Sequence, residues 1–237
     1  MLGRIQAGRR DLGSGFALAP RLVVTAHHVV RGRSAEQLSF APVTGDPVRV
    51  GTVSADERTD IAVLELVEDA LVTLAVGQAF GDAAWTVGSR PQGNDPRLSG
   101  TVTDVRRVIV NSRGHQVVVL QLHVHEALGD YSGYSGSPVQ LRPTGAVVGV
   151  LVEQVHLRLR PGPSGDRTAS SVLYAVPIDH VLEKVDLQSH RISFAPVRPP
   201  ESGPYPPAQL PHARVWNVPA RNPHFTGRNG LLQSLVK

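Results

Sequence analysis

Gly133-Tyr134-Ser135-Gly136-Ser137-Pro138 is the stretch on which the reading of this chain turns. A serine stands between two glycines, with a small residue and a proline behind it. Glycines of this kind let a backbone turn sharply and approach a ligand closely. A hydroxyl displayed on such a turn is a nucleophile when a base, and an acid that orients the base, come from elsewhere in the chain. Two upstream segments offer them: Thr25-Ala26-His27-His28-Val29-Val30 and Thr59-Asp60-Ile61-Ala62-Val63-Leu64. Each has a plain structural alternative, as two histidines at a strand end and an aspartate in a turn. Their order along the chain is what discriminates.

Outward from these motifs the sequence is strand-rich. Gly15 to Ala19 and Leu22 to Ala26 are apolar runs joined by Pro20-Arg21, and His27 follows the second run directly. Runs apolar on both sides fit strands inside a closed barrel, although periodicity alone does not separate them from a buried helix. Further strands are expected at Gln37 to Phe40, Val48 to Val53, Ile61 to Leu66 and Trp85 to Gly88. Others follow at Leu98 to Val110, Gln116 to Val124, Ala146 to Val152 and Val172 to Pro177. Ser89 to Pro96, Asn111-Ser112-Arg113-Gly114 and Arg160 to Asp166 read as turns or loops on composition. Ile178 to Leu187 suits one closing helix, with Val181, Leu182 and Val185 on its apolar side. Short strands at this spacing point to an all-β barrel or sandwich.

Composition narrows the function classes. The chain has 237 residues, enough for one large β domain with an appendage. Its formal charge is +4, but the arginines are dispersed and have few aromatics between them, which favours solvated surface over nucleic-acid binding. Without cysteine there are no disulfides or thiolate metal sites. His123 and His125 would share a strand face, but no third metal ligand is placed in sequence, so a metal-dependent hydrolase is disfavoured. No cofactor is implied. The N-terminus lacks an apolar leader and no segment is long enough to span a bilayer, so a cytoplasmic protein is expected.

Taken together, the three motifs resemble those of trypsin-like serine peptidases. Thr25-Ala26-His27-His28-Val29 is similar to T-A-A-H-x, Thr59 to Leu64 to the D-I-A-[LV]-L motif, and Gly133 to Pro138 to G-x-S-G-[GS]-P. The order histidine, acid, serine is that of chymotrypsin-type enzymes, whereas α/β-hydrolases run serine, acid, histidine. Ser137 also occupies the place of the last glycine in G-x-S-x-G. The resemblance spans about residues 13 to 187 and implies a chymotrypsin-like double β-barrel with a short C-terminal helix. It further implies a peptidase acting on protein or peptide substrates, with His28 as base, Asp60 as its acid and Ser135 as nucleophile. His27 stands where the family usually has alanine. The amides of Gly133 and Ser135 would form the oxyanion hole. Gly129 and Asp130 would floor the specificity pocket, with Val152, Glu153 and Gln154 on its wall; Asp130 or Glu153 would favour a basic P1 residue by charge pairing, and a pocket taking small or apolar P1 residues is the alternative. Tyr134 replaces the aspartate that pairs with a freed N-terminus in trypsins, so activation by that route is not expected. The rival reading is a latent protease-like barrel used for binding or self-association.

Past Ser193 the composition changes. Seven prolines between Pro196 and Pro211 make an extended linker. Val215 to Arg228 then resembles the entry to bacterial NB-ARC-type STAND ATPases, without the phosphate-binding G-x-x-x-x-G-K-[ST] motif. Three regions are therefore expected: a peptidase domain at 1–190, a Pro-rich linker at 191–214 and the start of an ATPase domain at 215–237. The implied partner is the ATPase and sensor part of a longer polypeptide.

Overall fold

The computed structural model describes residues 2–69, 72–88, 97–111, 113–126, 128, 131, 133–154, 171–185 and 190–195, without the side chains of 153 and 154. The described residues lie in one compact unit, Met1–Val197. The expected loop at Arg160 to Asp166, the Ser89 to Pro96 turn, most of the linker and the ATPase-like segment lie outside them.

Among the described residues, twelve strands form two closed six-stranded antiparallel barrels. The first contains β1 (Leu2–Ala7), β2 (Arg10–Ala19), β3 (Leu22–Ala26), β4 (Leu38–Pro42), β5 (Val48–Asp56) and β6 (Ile61–Leu66). The second contains β7 (Ala84–Val87), β8 (Leu98–Val110), β9 (Gln116–Val124), β10 (Pro138–Leu141), β11 (Val147–Gln154) and β12 (Val172–Pro177). Among the described residues the barrels are accompanied by a 3-10 turn at Ala35–Gln37 and two short α-helices: α1 (His27–Val30), continuing β3, and α2 (Ile178–Leu182), continuing β12. This is the chymotrypsin-like double barrel that the sequence predicts.

Continuous apolar runs become strands buried on both faces, as in β3, where all five residues are buried. Each barrel encloses its own core. Phe16, Phe40, Leu64 and Leu66 pack in the first, and Trp85, Leu120, Leu122 and Tyr134 in the second. Val147, Val150, Val152 and Val176, from the second barrel's strands, join the first cluster together with Val181 and Val185. The seam between the barrels is thus apolar, and α2 seals one end of it. Full burial of a Leu- or Phe-sized side chain contributes about 1.5–3 kcal/mol, which makes this seam a substantial constraint on how the barrels meet.

Three elements depart from the sequence reading. β1 was not expected, because Leu2-Gly3-Arg4-Ile5-Gln6-Ala7 is half polar; it is held by pairing with both β2 and β4, with Ile5 fully buried. β10 closes the second barrel between β11 and β7 although it has only four residues. The helix expected to reach Leu187 stops at Leu182; Lys184 and Val185 then donate to Val181 and Leu182 in tighter turns. Val181 and Val185 are nonetheless buried, on the apolar side assigned to them.

Candidate active site

The pairing of β3 with β6 places the first two candidate residues side by side. Ala26 is opposite Ile61, so the residue after β3 meets the residue before β6. The His27 amide donates to the Asp60 carbonyl at 2.8 Å. The His28 amide donates to Asp60 Oδ1 at 2.9 Å, and His28 Nδ1 lies 2.6 Å from Asp60 Oδ2. With Nδ1–H directed at the carboxylate, Nε2 carries the lone pair and can act as a base. The Asp60 side chain is 17% exposed and that of His28 is 36% exposed, so the acid is shielded while the imidazole edge reaches solvent.

Asp60 has φ 59°, a left-handed conformation unusual for a residue other than glycine. The turn that imposes it is tightly bonded. Asp56 accepts from the Arg58 amide at 3.0 Å, the Thr59 hydroxyl at 2.7 Å and Lys184 Nζ at 2.7 Å. Partial burial pushes the Asp56 carboxyl up, but Lys184, Thr59 and the Arg58 amide outweigh it and hold the group at about 2. Lys184 lies just beyond α2, so the closing helix is tied to the turn that carries Asp60.

The serine turn comes from the second barrel but hangs on the first. The Ser14 amide donates to the Ser135 carbonyl at 3.1 Å, and Ser14 Oγ donates to the Gly133 carbonyl at 2.9 Å. Thr25 Oγ1 in turn donates to the Ser14 carbonyl at 2.7 Å. On the other side, the Gly136 amide donates to the Leu151 carbonyl at 2.7 Å. Gly133 and Gly136 have φ 87° and 85°, values that the turn needs and side chains resist. The amides of Gly133 and Ser135 have no hydrogen-bond partner among the described residues. Likewise, no hydrogen bond joins Ser135 Oγ to His28 among them.

Tyr134 is fully buried in the second core beside Tyr131. The turn is therefore fastened by an aromatic side chain at the position where trypsin-like sequences carry an aspartate.

Of the expected specificity residues, Gly129 and Asp130 lie outside the described residues, as do the side chains of Glu153 and Gln154. Val152 is 9% exposed and packs in the seam cluster. His123 and His125 have ring centroids 6.2 Å apart, and no group of three potential metal ligands occurs among the described residues. Ser14, Thr25, Asp56, Lys184 and Arg113 all support the site and were not singled out from sequence. Ser14 and Thr25 carried the clearest signal, as polar residues inside fully buried strand segments.

Two closed barrels, with a glycine-flanked serine turn hung on the barrel that carries a His–Asp pair, have the architecture of the chymotrypsin-like class. The sequence model of the trypsin-like peptidase domain family matches residues 13–150, more than half of the chain, and the chain belongs to that family. It is 32% identical over 184 residues to a probable periplasmic serine endoprotease, DegP-like, from Halomonas elongata. That match covers 75% of this chain and 35% of the relative, so the chain spans about a third of the relative's length. Among solved structures it is similar to the Rv3671c protease from M. tuberculosis in its active form, with TM-score 0.58 and 20% identity over 83% of each chain. It is also similar to the MamO protease domain from Magnetospirillum magneticum, with TM-score 0.57 and 16% identity over 78% of this chain and 95% of that one. At these identities the structural likeness speaks to the fold alone. No helix among the described residues is long and apolar enough to cross a membrane.

Proposed function

We propose that this chain cleaves peptide bonds with His28, Asp60 and Ser135, through an acyl-enzyme. The observation that carries the reading is the 2.6 Å contact between His28 Nδ1 and Asp60 Oδ2, made beside a serine turn anchored on Ser14. Ser135 Oγ attacks the scissile carbonyl carbon while His28 Nε2 takes its proton. The oxyanion is met by the amides of Gly133 and Ser135, each such donor being worth about 10²–10³ in rate. The imidazolium, stabilised by Asp60, protonates the departing amine as the C–N bond breaks. Water then attacks the acyl carbon with His28 as base, releasing the acid and restoring Ser135.

The Val215 to Arg228 resemblance supports a further role as the regulated effector of a larger STAND-type polypeptide, with residues 191–214 as the tether. A chain without cysteine fits a reducing compartment, in keeping with the cytoplasm. An acidic side chain at Asp130 or Glu153 would pair with a basic P1 residue, the alternative being a pocket for small or apolar P1 residues; peptide-library profiling against a Ser135→Ala blank separates the two.

One observation favours a second reading, a latent binding module: among the described residues no hydrogen bond joins Ser135 Oγ to His28. Labelling with a fluorophosphonate separates the two. The peptidase reading expects a covalent adduct on Ser135 that Ser135→Ala abolishes and that Asp60→Asn slows by about 10⁴-fold. Absence of an adduct from both this chain and the full-length activated protein would leave the binding module.

A further inference from the structure

We infer that Arg113, at the tip of the β8–β9 hairpin, is a positioning residue that holds the Asp60 carboxylate and sets the acidic limb of the enzyme's pH profile. The inference deepens the peptidase reading above and rests on it.

The hairpin tip is built to present this one side chain. Asn111 Oδ1 accepts from the amides of Arg113 and His115 at 3.1 and 3.0 Å, and Gly114 takes φ 82° to close the turn. Because β8 is 13 residues long, the tip reaches the first barrel. There Asn111 Nδ2 donates to the Arg58 carbonyl at 2.9 Å, and Arg58 donates to the Gln116 carbonyl at 3.4 Å. The hairpin is thereby fastened to the turn that carries Asp60.

Arg113 then spreads its guanidinium over that turn. One terminal nitrogen donates at 3.2 Å to the Glu57 carbonyl, to Glu57 Oε1 and to His27 Nδ1. The other lies 3.5 Å from Asp60 Oδ1. The guanidinium carries no acceptor, so it can only donate in these contacts. The two adjacent histidines therefore face opposite partners: His28 a carboxylate, His27 a cation. The Arg113 and Asp60 side chains are 18% and 17% exposed, which limits solvent screening between them.

Among the described residues, the charged and titratable groups around Asp60 are His27 and His28 from α1, Glu57 from its own turn and Arg113 from the hairpin. Asp56 and Lys184 pair with each other further back, and Arg58 turns toward β9. Arg113 is thus the cation that competes with the His28 imidazolium for Asp60. Removing its charge strengthens the hold of Asp60 on the imidazolium, so His28 stays protonated to higher pH and the acidic limb moves up. At separations of this order, one charge seen through a protein surface moves such a limb by about half a pH unit or more. Releasing the hairpin's grip also loosens the turn, so the rate on the pH plateau falls.

The test is the pH dependence of fluorophosphonate labelling for the unmutated chain, Arg113→Gln and Arg113→Lys, with Ser135→Ala as blank. Arg113→Gln should move the acidic limb upward and lower the plateau. Arg113→Lys, which keeps the charge but loses the planar fork, should leave the limb in place and lower the plateau only. A second readout is the low-field proton resonance of the His28 Nδ1–H that faces Asp60, followed against pH in the Ser135→Ala background. It needs no reaction at Ser135, so it reads the inference even if the unmutated chain does not label; non-labelling bears only on the peptidase reading, and counts against it when the full-length activated protein is unlabelled too. Superimposable limbs and resonance titrations for Arg113→Gln and the unmutated chain would overturn the inference. If Arg113→Gln does not fold, Arg113→Lys decides: a displaced limb in that variant would equally overturn it.

Discussion

Ser14 Oγ donates to the Gly133 carbonyl at 2.9 Å, joining residues 119 positions apart and binding the serine turn of one barrel to a strand of the other. The bond fixes the peptide that follows Gly133, and so restrains the flanking amides of Gly133 and Ser135 that the proposed mechanism directs at the oxyanion. Ser14 is fully buried, so Ser14→Ala leaves the Gly133 carbonyl without that donor. Gly133 itself is exposed and the bond only partly buried, so water can reach the carbonyl and losing the bond costs about 0.5–1.5 kcal/mol. We expect a stability loss of that size in denaturant unfolding. Labelling should slow by about tenfold, a fraction of the effect of deleting an oxyanion donor.

The two adjacent histidines separate cleanly. Only His28 faces the Asp60 carboxylate through its ring, whereas His27 meets Arg113. His28→Ala should cut peptide hydrolysis by at least about 10⁴-fold. His27→Ala removes an acceptor from Arg113 and should lower the rate only modestly. Equal losses in both variants, measured as kcat/KM on a peptide substrate, would contradict the assignment of His28 as the base.

How much of this was legible beforehand follows from where the information sits. β3, β8, β9 and β12 were legible to the residue, because an apolar or alternating run fills each of those spans. β1 was not, since a half-polar hexapeptide becomes a strand only when two neighbours pair with it. The His–Asp pairing was legible because motif order encodes it, and β3–β6 register then delivers it. Arg113 was not, although its turn was. Its contact with Asp60 spans 53 residues and depends on the reach of a ribbon, which no local pattern records. Ser14 lay in between: a polar residue in a buried strand demands a partner, but only the fold supplies Gly133.

The Asp56–Lys184 pair gives a pH dependence with a definite sign. The Asp56 carboxyl is held at about 2 against an ordinary 3.8. A carboxyl lowered on folding stabilises the protein above its unfolded value, and this contribution is lost as pH falls toward the folded value. Asp56→Asn should therefore cost about 1 kcal/mol at neutral pH once solvent screening is allowed for. The gap from the unmutated chain should narrow as pH drops from about 4 toward 2. Thermal unfolding at a series of pH values checks this, and a constant gap across that window would show that Asp56 acts by packing alone.

Gly136 and Gly145 provide a matched pair. Both have positive φ, 85° and 68°, so alanine pays a backbone cost at each, about 1 kcal/mol. Their surroundings differ. A Cβ on Gly136 would run into the Ser14 carbonyl oxygen and lie 2.5 Å from Thr25 Oγ1 and 3.1 Å from the Ala26 amide nitrogen. Two of those three neighbours are backbone atoms of the first barrel, which cannot rotate away. On Gly145 a Cβ meets nothing within 4 Å. Gly136→Ala should therefore add an overpacking cost of about 1–3 kcal/mol to the shared backbone term. At about 2–4 °C per kcal/mol for a chain of this size, Gly145→Ala should lower Tm by only a few degrees and Gly136→Ala by two to four times as much. Because the overlap pushes the serine turn away from Ser14, Gly136→Ala should also lose most Ser135 labelling at temperatures where it remains folded, while Gly145→Ala keeps it. Normal labelling in folded Gly136→Ala would mean that the serine turn does not depend on its close approach to the first barrel.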